Sequence, residues 1–187
     1  GDVNICYSED ELKEAFKRIK SPLVLVQKYI DKKTEMTLEG YSINQGKDMV
    51  VGTQCFYPYA VKGYYSPWHT NQPFKDKELK AKLDAMYEEI GFEGCFEIEF
   101  LIDKDDKMYF SEINFRNSTW AYSTTVAGNP IAYNWCLGMI TGEAIPAKDF
   151  EPFMSMVEPI DYMLRVEKGR CTLPEWLNDS LNKTCPF

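Results

Sequence analysis

Phe96-Glu97-Ile98-Glu99-Phe100-Leu101 and Tyr109-Phe110-Ser111-Glu112-Ile113-Asn114-Phe115-Arg116 are two apolar–polar alternations flanking a short polar run. A period of two marks a half-buried strand, so the stretch is expected to form an antiparallel hairpin of Gly94 to Asp103 and Lys107 to Phe115. With Asp105-Asp106 as a two-residue turn, Glu99 faces Glu112 and Glu97 faces Asn114. Side chains two apart on a strand share a face, which puts Glu97, Glu99, Glu112, Asn114 and Arg116 on one side of the sheet. Like charges directly across a ladder destabilise it by roughly 0.2–1 kcal/mol per pair. The arrangement is explained if a cation lies between them, and an all-oxygen set of two Glu and one Asn suits a hard ion such as Mg²⁺. Leu101 and Phe110 are expected on the same face, making a floor that is apolar at one end and acidic at the other. Such a floor suits a nucleotide with its base and its phosphates on opposite sides. The competing reading is a solvated polar face whose carboxylates repel into water.

Working outward, Ser8-Glu9-Asp10-Glu11 forms a capping box ahead of Leu12, Ala15, Phe16 and Ile19, whose spacing predicts a helix to about Lys20, ended by Pro22. Leu23-Val24-Leu25-Val26 is apolar and half β-branched and predicts a buried strand running through Ile30. Glu35 to Ile43 and Met49 to Phe56 predict a hairpin around Asn44-Gln45-Gly46-Lys47. Lys75 to Ile90 predicts an amphipathic helix with Leu79, Leu83, Met86 and Ile90 on one stripe and Gly91 as its cap. Further helices are expected over 129–140 and 174–181. Antiparallel strand pairs with helices between them give an α+β class, an antiparallel sheet with flanking helices, within one compact domain over 1–187.

The chain has 187 residues and a formal net charge of -8, and lacks the positive field that most nucleic-acid and anionic-membrane surfaces need. No apolar run approaches the roughly 18–20 residues of a membrane span, and no signal-peptide pattern opens the chain, so a cytoplasmic protein is expected. Cys6, Cys55, Cys95, Cys136, Cys171 and Cys185 contain no CxxC pair, and are expected to be reduced and mostly buried. His69 is the only histidine, which excludes sites built on two imidazoles.

The hairpin Phe96 to Arg116 resembles the metal-binding signature of the ATP-grasp superfamily, in which an acid on one strand is followed by E-x-N-x-R on the next. Val26-Gln27-Lys28-Tyr29-Ile30 followed by Glu35 is similar to that family's adenine-binding linker and ribose-binding acid. The likeness runs from about Leu23 to Gly142, closest to the carboxylate–amine ligases of the carbamoyl-phosphate-synthase and D-aspartate-ligase kind. It implies that Glu99, Glu112 and Asn114 hold Mg²⁺ or Mn²⁺ and that Arg116 steadies the transferred phosphate. It further implies that Lys28 and Ile30 bind the adenine edge of ATP through their backbones, with support from the Gln27 side chain. Glu35 would take the ribose hydroxyls and Leu101 would pack on the base. Asn117 to Trp120 would border a small-molecule carboxylate or amine substrate. Lys62 and His69 lie where the family sometimes places a phosphate-contacting base, and Glu97 is either a supporting acid or exposed.

The family's Gly-rich loop and its phosphate-clamping lysines are not present in these 187 residues. The chain is therefore expected to be part of a larger ATP-grasp enzyme whose N-terminal part is missing, and to lack turnover by itself. A non-catalytic nucleotide-binding or protein-interaction domain derived from the same fold is the alternative. The segment 152–187 carries no functional signal.

Overall fold

The computed structural model describes residues 3–58 and 66–182. By contact the chain divides into two units, Gly1–Asp31 and Lys32–Phe187, where the sequence suggested one domain.

In the first unit, α1 (Glu9–Arg18) starts as its capping box requires. Ser8 Oγ accepts from Glu11 N at 3.2 Å, and the Glu11 carboxylate reaches back to Tyr7 N at 2.7 Å. The strand expected over Leu23 to Ile30 does not form. Leu23 is 84% and Leu25 81% exposed, and no strand pairing involves the segment. The correction has a simple cause: β-propensity stabilises a strand only through a neighbour that completes its ladder, and among the described residues this unit holds only a helix.

The second unit is built on β1 (Lys32–Ile43), β2 (Asp48–Phe56), β3 (Trp68–Gln72), β4 (Gly94–Asp103), β5 (Met108–Asn114) and β6 (Phe153–Met156). They form one antiparallel sheet in the order β5-β4-β1-β2-β3-β6. Alternation sorts its two faces. Met36, Leu38, Phe96, Ile98 and Phe100 point to α2 (Lys77–Ile90), where Leu83 and Tyr87 complete the main core. The helix begins at its Asp76 cap, which accepts from Leu79 N at 2.9 Å, and ends at Gly91 with φ 68°. Tyr87, not Ile90, is the last core residue of its stripe, and Ile90 is exposed. On the opposite face, Tyr41 and Ile43 pack on Ile131 of α4 (Ile131–Thr141), which follows the short α3 (Ala121–Val126).

The β1–β2 turn places Asn44, Gln45 and Gly46 in the left-handed region, and Gly46 (φ 78°) lies against the end of α2. A Cβ there would stand 2.0 Å from the carbonyl oxygen of Tyr87. Gly46→Ala is accordingly expected to cost about 1–3 kcal/mol in denaturant unfolding, combining a strained φ with a backbone clash. A loss below about 0.5 kcal/mol would show that the turn yields.

The tail without functional signal is part of this unit. β6 pairs with β3 through Trp68↔Met156 and His69↔Ser155. After it come α5 (Glu158–Tyr162), a π-helical turn (Met163–Glu167) and α6 (Leu173–Asn182). Arg165, 1% exposed, is held by Asp161 and Asp179 and lies over the Trp68 ring. Among the described cysteines only Cys55 is buried, and Cys136 is exposed, so the expectation of mostly buried thiols is corrected. No described helix is long and apolar enough to cross a membrane.

Candidate functional site

The β4–β5 pairing places Glu97 opposite Asn114 and Glu99 opposite Glu112, as the alternation required. Beyond Glu99 the ladder departs from the expected register. Ser111 is an extra residue, so Phe100 faces Phe110 and Leu101 faces Tyr109. The turn is correspondingly three residues long, Lys104 to Asp106, with Asp106 at φ 60°. Asp103 organises it, accepting from Asp105 N and Lys107 N at 2.9 Å each and from the Tyr109 hydroxyl at 3.0 Å. These bonds, the Lys107 amide foremost, hold its carboxyl below the usual range. The expectation that Phe110 shares the acid face is therefore corrected. Its ring meets Phe100 edge-on, and Tyr109 stands beside Leu101 instead.

At the acidic end, three carboxylates converge on one atom. Asn114 Nδ2 donates to Glu99 Oε1 at 2.9 Å, to Glu97 Oε2 at 3.3 Å and to Glu112 Oε1 at 3.3 Å. The other end of the same carboxamide, Oδ1, accepts from Arg116 Nη2 at 3.1 Å. Arg116 Nη1 lies 3.8 Å from Glu97 Oε2 and donates to the Asn117 carbonyl at 3.1 Å.

β1 extends this face. Glu35 pairs with Leu101, Thr37 with Glu99 and Glu39 with Glu97. Glu39 is 0% exposed and accepts from Ser118 Oγ, while its Oε2 meets no N–H or O–H donor among the described residues. Burial first, and Glu97 second, push Glu39 up to about 8. Burial likewise raises Glu97, and burial followed by Glu97 and Glu112 raises Glu99 to about 7. At neutral pH the cluster carries less negative charge than its acids would suggest.

Glu39 gives the site a pH signature. In the unfolded chain it releases its proton near 4.5, and in the fold near 8, so the native state binds more protons between those values. Unfolding free energy then falls as pH rises through that window, by at most ~1.4 kcal/mol per pH unit for one proton. Glu39→Gln keeps the volume and the Ser118 bond but removes this proton. Urea melts between about pH 5 and about pH 8 are expected to give a flatter profile and a variant more stable than its parent at the upper end. A profile as steep as the parent's would refute the assignment.

The structure thus brings Glu35, Leu101, Glu97, Glu99, Glu112, Asn114 and Arg116 to one sheet face, while Gln27, Lys28 and Ile30 belong to the first unit. Lys62 lies outside the described residues. His69 is fully buried, with its ring 3.8 Å from that of Trp120, and no described residue bonds either nitrogen. Burial lowers its pKa to about 3, so it stands as a neutral imidazole rather than a phosphate-binding cation. Glu39 was missed in the sequence, although its parity with Glu35 on β1 is the signal that could have found it. A cavity of about 610 Å³ lined by Met49, Val51, Phe74, Lys77 and Pro146 contains none of these acids. Among the described residues no group of three or more His, Cys, Asp or Glu is arranged to hold a metal ion.

No protein-family model matches the chain. N5-carboxyaminoimidazole ribonucleotide synthase of Staphylococcus aureus (strain COL) is 24% identical over 144 residues, covering 74% of this chain and 37% of the relative. Formate-dependent phosphoribosylglycinamide formyltransferase of Ignicoccus hospitalis is 28% identical over 121 residues, covering 58% of this chain and 30% of the relative. The chain thus spans well under half the length of these curated relatives. Among solved structures, N5-carboxyaminoimidazole synthetase from Staphylococcus aureus complexed with ADP superposes with a TM-score of 0.62 at 20% identity, over 88% of this chain and 45% of that one. A biotin carboxylase from Campylobacter jejuni superposes with a TM-score of 0.53 at 22% identity, over 68% of this chain and 30% of that one. At these identities the superpositions establish the fold.

Proposed function

We propose that this chain is an ATP-grasp protein, the ATP- and Mg²⁺-binding half of a ligase that activates a carboxylate as an acyl phosphate for attack by an amine. The observation that carries the reading is the meeting of Glu97, Glu99 and Glu112 on a single atom of Asn114, with Arg116 on the far end of the same side chain. Convergent carboxylates mark a place that favours positive charge. Glu99 and Glu112 supply carboxylate oxygens of the kind Mg²⁺ or Mn²⁺ takes, and Asn114 would join them through its carbonyl, which in this structure faces Arg116. Bound there, the metal supplies neutralisation of phosphate oxygens.

The chain's own residues do the rest by position and charge, which is most of what phosphoryl transfer asks of a protein. Arg116, whose side chain is 60% exposed, reaches from the β5 end to steady the transferred phosphoryl group through its planar fork. Glu35 takes the ribose hydroxyls, and Leu101, its partner in register, packs on the base. Within the first unit taken by itself, the backbones of Lys28 and Ile30, supported by Gln27, offer groups suited to an adenine edge. Ser118, fixed by Glu39 and by the Trp120 amide at 2.9 Å, shapes the wall where the small carboxylate and amine substrates are received. The clamp on the remaining phosphates and the complete reaction belong to the whole protein.

Calorimetry of the chain with ADP, in the presence and absence of Mg²⁺, tests the proposal. Binding is expected to require the metal, and ADP affinity that is the same in both conditions would overturn it.

A further inference from the structure

The cavity of about 610 Å³ in the second unit stands apart from the acidic cluster, and its volume lies in the range that small ligands occupy. Its floor is apolar. Met49 and Val51 of β2 are buried there, and Phe74 and Pro146 stand with them in the lining. Both flanks are fixed by the fold. On one, two buried side chains hold the backbone of the segment 144–149, each through a pair of bonds. The Tyr41 hydroxyl donates to the Ile145 carbonyl at 2.9 Å and accepts from Ile145 N at 2.8 Å. The Asn129 carboxamide donates to the Lys148 carbonyl at 2.9 Å and accepts from Lys148 N at 2.7 Å. On the other flank, Phe74 packs against the main core and Asp76 caps α2. A recess braced on two sides keeps its shape and does not close over its floor.

The charged groups of the lining are Lys75, Lys77 and Lys80, against Asp76 and Asp149. They are more exposed than the floor and so ring the mouth. Both acids are already engaged. Asp149 lies 3.4 Å from Lys75, and Asp76 accepts from Leu79 N. Lys80 is paired with Asp84, and among the described residues Lys77 makes no ion pair. The mouth is thus locally positive on a chain of formal net charge -8. A cationic head would meet three ammonium groups, and a second polar group deep in the recess would lose water without gaining a partner.

We propose that this cavity binds a small amphipathic anion, a medium-chain or aromatic carboxylate. Its apolar body covers Met49, Val51 and Phe74, and its carboxylate is met by Lys77 at the mouth. The site is independent of the acidic cluster and of the metal reading given to it.

Octanoate is the probe, followed by nuclear magnetic resonance of the ¹⁵N-labelled full chain. The backbone amides of Val51, Lys77 and Ala147 are expected to move saturably while that of Glu112 stays in place. Octanol and octylammonium, which keep the chain and change the head, are expected to bind more weakly by about fivefold or more. Lys77→Glu places an acid in the first turn of α2, where the helix tolerates it. It is expected to weaken octanoate by about fivefold. Ala147→Trp, at an exposed position of the lining, is expected to fill the recess and abolish binding. Failure of octanoate to give a saturable shift in the millimolar range would overturn the proposal, as would octanol binding as well as octanoate. Binding that survives Ala147→Trp would place the ligand elsewhere and overturn it too. If the same amides move with protein concentration alone, a second copy of the chain occupies the recess and the small-anion site is wrong.

Discussion

Glu112→Gln is expected to weaken Mg²⁺-dependent ADP binding by about 100-fold while leaving the fold intact. Even partners outside the ligand shell cost 10–100-fold in metal affinity when removed, and a carboxylate ligand contributes more because it also carries charge. The substitution is nearly isosteric and removes a negative charge from a crowded cluster, so the metal-free chain is expected to be no less stable than its parent. Calorimetry with ADP and Mg²⁺ gives the affinity, and a urea melt without metal gives the stability. Glu89→Gln, on the exposed side of α2, serves as the charge-matched control. Mg²⁺-dependent binding that survives Glu112→Gln within threefold would remove Glu112 from the site.

Arg165→Met is expected to destabilise the second unit by about 3–5 kcal/mol. Asp161 Oδ2 accepts from Arg165 Nη1 at 3.4 Å and from Trp176 Nε1 at 2.7 Å, and Asp179 accepts from Arg165 Nη2. Both acids are buried, so removing the guanidinium leaves them in the interior with too few donors. The expected result is a shifted denaturant midpoint with little change in slope. Replacing both acids together with Arg165, as Asp161→Asn, Asp179→Asn and Arg165→Met, is expected to recover most of the loss. A single-variant loss below about 1 kcal/mol would mean that water reaches the acids once Arg165 is gone.

What could be read in the sequence follows from how local each interaction is. The Glu99–Glu112 pairing was legible because a hairpin with alternating side chains fixes partners within one short stretch. Most of the hydrophobic stripe of α2 and its Gly91 cap were legible for the same reason. Glu39 was not, because it joins the site only through the β1–β4 pairing, which brings together residues far apart in the chain. β3, whose residues are Trp68-His69-Thr70-Asn71-Gln72, has little alternation and owes its strand state to neighbours on both sides. The Leu23 to Ile30 segment shows the converse, strong propensity without a partner and hence no strand. The burial of Arg165 was equally hidden, since its partners lie on two different helices.

The extra residue at Ser111 has a consequence for how this hairpin can vary. Between the fixed pair Glu99 and Glu112, the same residues fill either an unbroken ladder with a two-residue turn or a bulged ladder with a three-residue turn. The two forms are isomers of equal length, differing in whether Phe110 or Tyr109 stands beside Leu101. Asp103 selects the second by gathering the amides of the longer turn and the Tyr109 hydroxyl. The aromatic group that stands beside Leu101 is therefore chosen at the tip of the hairpin, by a side chain that never touches the acids. Sequence drift at the turn could exchange one ring for the other without altering a single residue of the acidic cluster.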